Sequence, residues 1–168
     1  EAAWASGDPG MIWLDRINEG PGNPVPSLGP IEATNPCGEQ ILYPNEACNL
    51  GSVNLGKTVK RRGRGYKIDW EKLEEITRIS VRFLDNVIDA SPFPLEEIKQ
   101  SVLANRRIGL GVMGWADLLF MLRIPYDSKE AVKLGEKVMK FINDIGWDES
   151  EKLAEEKGPF PNFDKSIY

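Results

Sequence analysis

Thr34-Asn35-Pro36-Cys37-Gly38-Glu39-Gln40 is where this chain concentrates its reactive chemistry. A thiol stands between an amide two residues before it and a carboxylate two residues after it. Pro36 fixes its own φ, lacks an N–H donor and biases Asn35 toward extended backbone. Gly38 permits a sharp turn or a close approach to something else. If Asn35, Cys37 and Glu39 are extended, the two-residue period puts all three side chains on one face. A thiol, a hydrogen-bonding amide and a proton acceptor then meet one small ligand. The plainer reading of the same letters is a turn, because Asn-Pro-Cys-Gly is good turn chemistry, with the cysteine serving as a small buried hydrophobe.

Outward from this stretch, the next reactive residue is Cys48, eleven positions after Cys37. The chain has 168 residues, two cysteines and no histidine. The missing imidazole removes the Ser–His and Cys–His schemes and the commonest metal ligand, so no metal site is expected. Two cysteines without a secretory pattern point to a reducing, cytoplasmic setting, and to chemistry or plain burial over a disulfide scaffold. The formal net charge is −5, with both signs well mixed. The one basic run, Lys57 to Lys67 (KTVKRRGRGYK), carries two glycines between apolar segments and reads as a solvated hairpin tip. Nucleic acid is therefore not expected as a partner. No apolar run approaches the ~20 residues of a membrane span, and there is no signal peptide.

The length suits one ordinary domain. Residues 1–34 are rich in Gly, Pro and Asn: Ala2 to Ala5 ends a helix, Gly7-Asp8-Pro9-Gly10 turns, and Met11 to Leu14 is a short strand or a buried helical turn. Gly20 to Pro30 is irregular, since Pro and Gly recur too often for a helix or a ladder. Ile41 to Tyr43 and Ser52 to Leu55 read as two short strands, the limbs of a hairpin-like finger around Pro44 to Gly51. Val59 and Tyr66 to Ile68 extend strands around the basic tip.

Asp69 is a good N-cap for a helix from about Trp70 to Ala90, with Leu73, Ile76, Ser80, Phe83, Leu84, Val87 and Ile88 as its stripe. A shorter helix follows from Leu95 to Ala104. Arg107 to Val112 reads as a strand feeding a helix at Trp115 to Leu122. Ser128 caps a last helix from Lys129 to Lys157, broken near Gly146, with Val138, Phe141, Ile142 and Ile145 inward. Gly158-Pro159 ends it. Strands followed by helices in this order indicate an α/β class. Gly109-Leu110-Gly111-Val112-Met113-Gly114 matches GxGxxG. A dinucleotide fingerprint also needs a complete βαβ unit ending in an acidic residue, and Asp127 follows Pro125-Tyr126 with no second strand. Close helix–strand packing accounts better for these glycines.

Asn35-Pro36-Cys37-Gly38-Glu39 resembles the finger-loop signature of the catalytic subunit of ribonucleotide reductases. The longer run Asn35 to Leu55 (NPCGEQILYPNEACNLGSVNL) and the block Asn105 to Asp117 (NRRIGLGVMGWAD) are most similar to the adenosylcobalamin-dependent, class II branch. The resemblance covers nearly the whole chain. It implies part of a ten-stranded α/β barrel, with a central finger loop at about 34–55 carrying the catalytic cysteine and a helical barrel wall at about 69–157. All of residues 1–168 would then form a partial catalytic barrel domain, an internal piece of a larger chain.

The resemblance also implies roles. Cys37 becomes a thiyl radical, Glu39 takes the proton of the 3′-hydroxyl, and Asn35 holds the substrate hydroxyls. Cys48 is one half of the reducing dithiol. Asn35, Pro36, Cys37, Gly38 and Glu39 together line the substrate. The implied cofactor is adenosylcobalamin, although no residue here binds it recognisably. The implied partners are a ribonucleotide, di- or triphosphate, a thioredoxin-like reductant and the remainder of the reductase chain, with a homodimer of the parent left open. The 168 residues alone are expected to be inactive. Two other readings stand beside this one: a nicotinamide-nucleotide-binding module using Gly109 to Gly114, and a catalytically incomplete structural fragment. For Cys48 by itself, a buried structural thiol or an off-pathway bond to Cys37 also fits.

Overall fold

The computed structural model of the chain describes residues 1–168, and its contacts fall into two units, each drawn from separate stretches of sequence. One unit combines residues 1–48, 92–107 and 160–168. The other combines residues 49–91 and 108–159.

In the first unit, α1 (Ala2–Ser6) and α2 (Leu14–Glu19) precede a short antiparallel pair, β1 (Ala33–Thr34) with β2 (Ile41–Leu42), and α4 (Glu96–Asn105) comes from the middle of the chain. Met11 to Trp13 is exposed irregular chain rather than a strand, and Leu14 opens α2. The irregular Gly20 to Pro30 segment is ordered by amide side chains in place of a backbone ladder. Asn18 Nδ2 donates to Ile31 O at 2.9 Å, and its Oδ1 accepts from Ile31 N at 2.7 Å. Asn23 Nδ2 donates to Asn18 Oδ1 and to Gly29 O. Beneath them Val25, Ile31 and Tyr43 form a small core with Ile17 and Ile41 against it. The Tyr43 hydroxyl donates to Asn23 and accepts from Val25 N, so the buried phenol is satisfied on both sides.

The second unit is built on one parallel pair, β3 (Asn49–Asn54) with β6 (Ile108–Met113), running from Asn49 opposite Ile108 to Asn54 opposite Met113. The basic run forms the hairpin its composition implies: β4 (Val59–Arg62) and β5 (Gly65–Ile68), with Gly63 at φ 58° in the tip. Three helices complete the unit: α3 (Trp70–Ala90), α5 (Trp115–Leu122) and α6 (Lys129–Lys157). Val53, Leu55, Ile68, Leu73, Leu118, Val138 and Ile142 are its core. At about 1.5–3 kcal/mol for each such side chain removed from water, this cluster outweighs any ion pair in the unit. Trp70 meets Phe141 edge-on at 4.9 Å, and Lys137 lies 5.0 Å from the Trp70 ring centre.

Several sequence expectations are corrected here. The limbs read around Pro44 to Gly51 do not pair with each other: Ile41–Leu42 pairs back to Ala33–Thr34, and Ser52 to Asn54 belongs to β3, alongside β6. The inward stripe of α3 is Leu73, Thr77, Val81, Leu84 and Ile88, while Phe83 is exposed. Thr77 can be buried because its hydroxyl donates to Leu73 O at 2.7 Å. Asp69 sits at the N-cap of α3, and its carboxylate accepts a charge-assisted bond from Lys60 Nζ at 2.8 Å. Ser128 caps α6 by accepting from Ala131 N at 3.1 Å. The helix runs unbroken through Gly146. A Cβ there would stand 3.9 Å from Val81, an ordinary contact, so the helix absorbs this glycine at a propensity cost of about 1 kcal/mol. The sheet content is three two-stranded pairs, and these residues form no closed barrel. No helix is long and apolar enough to cross a membrane.

Candidate functional site

The Asn35 to Gln40 stretch forms the loop of the β1–β2 hairpin, within the first unit. Gly38 N donates to Asn35 O at 3.0 Å, which makes Asn35 to Gly38 a β-turn, and Asn35 N donates to Gln40 O at 3.0 Å to close the loop. Pro36 takes the second turn position, where its fixed φ is already correct, and Gly38 the fourth, at φ 82°. The extended arrangement of Asn35, Cys37 and Glu39 is thus replaced by a turn. The turn still joins the two polar members: Asn35 Nδ2 donates to Glu39 Oε1 at 2.6 Å, and Asn35 Oδ1 accepts from Gln40 N at 3.1 Å. Cys37 is left exposed at the tip.

Cys48 follows a second turn, Tyr43-Pro44-Asn45-Glu46, in which Glu46 N donates to Tyr43 O at 3.1 Å and Asn45 has φ 60°. The Glu46 carboxylate turns back on the same peptide and accepts from Tyr43 N at 2.9 Å. It also accepts from Asn105 Nδ2 at 2.8 Å and from Arg107 Nη1 at 3.2 Å. The Glu46 side chain is fully out of solvent, and that of Arg107 is 16% exposed. A carboxylate in such a place is tolerated because it is both paired and hydrogen-bonded. Arg106 ends α4 in the left-handed conformation, φ 46°, with its N–H on Val102 O. That termination brings Arg107 back onto Glu46. Asn105 is fixed in turn by Asn162, whose Nδ2 donates to Asn105 Oδ1 at 2.8 Å and whose N–H reaches Ala104 O.

Cys48 is half-buried, and burial pushes its thiol up. Arg107 acts against this, while the negative charges of Glu39 and Glu46 add to it. Tyr43 is likewise raised, chiefly by burial, with the bond from Val25 and the charge of Arg107 opposing. Both cysteines are free thiols, so the Cys37–Cys48 bond is not formed.

Of the residues singled out from sequence, Asn35 and Glu39 are in contact and Cys37 crowns their loop, with Pro36 and Gly38 shaping the turn. The supporting set Glu46, Asn105, Arg107 and Asn162 was not read from the sequence. One signal for it exists in hindsight: Tyr43-Pro44-Asn45-Glu46 is a turn sequence with a carboxylate at its fourth place, where it can reach back to the first N–H. The glycines of Gly109 to Gly114 do not form a phosphate turn. Gly109 and Gly111 lie inside β6, and only Gly114, at φ 71°, is in the strand–helix turn. A Cβ on Gly109 would meet Leu50 at 2.4 Å, and one on Gly114 would meet Asn54 at 2.6 Å, so the close neighbours are side chains of β3 and not of a helix.

The chain has no histidine, and no group of three or more Cys, Asp or Glu is placed to hold a metal ion.

The family described as "Ribonucleotide reductase, barrel domain" matches residues 1–168. Over 161 residues the chain is 55% identical to a vitamin B12-dependent ribonucleoside-diphosphate reductase from Thermoplasma acidophilum, a match covering 96% of this chain and 20% of that protein. A protein of the same description from Mycobacterium tuberculosis is 52% identical over 168 residues, 100% of this chain and 23% of the relative. A ribonucleoside-diphosphate reductase large chain from Cryptosporidium parvum is 34% identical over 170 residues, 99% of this chain and 21% of that one. The chain therefore spans about a fifth of the length of these relatives. With a family match over every residue and identity above half to two of these proteins, the chain belongs to the ribonucleotide reductase barrel-domain family.

Proposed function

We propose that this chain is the finger-loop portion of an adenosylcobalamin-dependent ribonucleotide reductase, which converts ribonucleotides to deoxyribonucleotides for DNA synthesis. The observation that carries this reading is the Asn35–Glu39 hydrogen bond, 2.6 Å, across a loop whose exposed tip is Cys37. It sets a hydrogen-bond donor and a proton acceptor side by side next to a thiol.

Hydroxide leaves poorly from an unactivated 2′ carbon, and a radical at the neighbouring 3′ carbon makes its departure feasible. Adenosylcobalamin, bound elsewhere in the parent enzyme, supplies the radical chemistry. The steps assigned to these residues begin with a thiyl radical on Cys37, which takes the 3′ hydrogen. Glu39 accepts the 3′-hydroxyl proton while the 2′-hydroxyl takes a proton from the dithiol and leaves as water, and Glu39 gives its proton back to the 3′ oxygen as the product forms. Asn35 holds the hydroxyls in place, and its worth lies in positioning. Cys48 and a partner thiol outside this chain supply two electrons and become a disulfide, Cys37 returns the 3′ hydrogen, and a thioredoxin-like protein reduces the disulfide. One water and one disulfide form per deoxyribonucleotide. With one half of the dithiol elsewhere, the 168 residues alone do not turn over.

The test is Cys37→Ser in the full-length protein, with ribonucleotide, adenosylcobalamin and a dithiol reductant. Loss of all deoxyribonucleotide formation is expected, and full activity would overturn the reading.

A further inference from the structure

A charge cluster with a buried carboxylate is built on the turn that leads into Cys48, and the reaction scheme above gives it no task. Glu46 sits two residues before Cys48, in the turn that delivers it. Three donors from three places fix its carboxylate: the Tyr43 N–H of the same turn, the Asn105 amide at the end of α4, and the Arg107 guanidinium just past that end. Asn162 pins Asn105 from behind. Nothing this costly in desolvation is needed merely to close a four-residue turn, which Pro44 and Asn45 already favour.

We propose that Arg107, held in place by the buried carboxylate of Glu46, is a positioning residue for Cys48: it fixes the turn that carries the sulfur and supplies the positive charge that favours its thiolate. The proposal rests on the reading of Cys48 as half of a dithiol. A thiol that must attack a disulfide, or be released from one, works through its thiolate. Burial raises the thiol of the half-buried Cys48, and the positive charge of Arg107 is the largest influence that opposes this. The other charges facing the sulfur, Glu39 and Glu46, both oppose ionisation. Glu46 therefore has two effects of opposite sign. It anchors Arg107, which helps Cys48, and its own negative charge hinders ionisation directly.

This yields a signed test. The full-length protein is reduced, freed of reductant and alkylated with iodoacetamide between pH 6 and 10, with Cys48 followed by peptide mass spectrometry. Arg107→Met is expected to move the Cys48 profile to higher pH and to slow labelling at neutral pH by roughly three- to tenfold, the size of losing one short-range opposite charge. Arg107→Lys is expected to restore most of it. Glu46→Gln, in which the loosened anchor and the lost negative charge act in opposite directions, is expected to move the profile less than Arg107→Met does.

A merely structural clamp gives a different pattern, since loosening the turn exposes Cys48 and speeds labelling in both variants. A profile unmoved by Arg107→Met, or moved by it to lower pH, overturns the proposal. Full turnover of Cys48→Ser with a thioredoxin-like reductant instead overturns the dithiol reading, and leaves the alkylation result to stand or fall by itself.

Discussion

Asn54 and Gly114 face each other across the ends of the parallel β3–β6 pair, with Asn54 Oδ1 where a Cβ on Gly114 would be: only 2.6 Å would separate them. That oxygen is committed, because it accepts from Gly56 N at 3.1 Å and so shapes the turn leaving β3. Gly114 also has φ 71° as it starts α5. Gly114→Ala therefore meets a conformational cost and a steric one together. A loss of about 1–3 kcal/mol is expected, measured as a lower urea midpoint. Gly111→Ala, whose Cβ would have 3.9 Å of clearance, should cost less, and equal losses would contradict this account.

Glu149 of α6 is the buried member of an ionic network between α3 and α6. It accepts from Arg82 at 3.1 Å and stands 3.5 Å from Arg78. Both arginines have further carboxylates: Glu156 for Arg82, and Glu74 and Asp148 for Arg78. Glu149→Ala thus leaves neither guanidinium without a partner, and the expected loss is moderate, about 1–2 kcal/mol. Because the network reaches solvent, the difference between wild type and variant should shrink in 1 M salt. A salt-independent loss would point to packing alone.

Acid sensitivity follows from the same network. Asp148 is held below its ordinary value by Lys152 and then Arg78, and Glu156 by Arg82. A carboxyl lowered in the folded state contributes stability above its unfolded pKa and loses it as pH falls through the folded one. Here that window opens near pH 4–5 and extends downward from the ordinary values of 3.8 and 4.5. The drop in urea midpoint from pH 7 to pH 3 should be smaller in Asp148→Asn than in wild type. An identical drop in the two proteins would remove Asp148 from the account.

On the proposed role of Cys48 in a dithiol, Cys48→Ser should separate the reducing step from the radical step. In the full-length enzyme the variant should still exchange or release the substrate 3′ hydrogen, and should fail to sustain turnover with a thioredoxin-like reductant. Rates fall by several orders of magnitude when a group acting as a unit with others is removed. Sustained turnover at the wild-type rate would show that Cys48 is not part of the dithiol.

Much of the fold could be read from periodicity, because the long helices carry it in full. Trp70–Ala90, Trp115–Leu122 and Lys129–Lys157 begin and end at their caps, prolines and Gly158. What local pattern cannot carry is pairing between distant segments. Nothing near Ser52 announces Gly111 as its neighbour, and nothing in α3 tells that Phe83 faces out while Thr77 turns in. The polar part of the candidate site was legible because Asn35 and Glu39 meet within one turn. The Glu46 cluster was not, since two of its three donors, Asn105 and Arg107, lie about 60 positions away in sequence.

The first unit is stitched from three separated stretches, and the last of them reaches back twice: Asn162 to Asn105, and Ile167 N to Pro24 O at 2.9 Å. On the ribosome this order matters. Residues 49–91 and 108–159 contain all the strands and helices of the second unit, so it can mature while the chain is still growing. The turn that presents Cys48 must wait, since its outermost support is translated near residue 162. A nascent chain halted before that point would carry Cys48 on a turn whose Asn105 still lacks its bond from Asn162, so the thiol would be made before its support is complete.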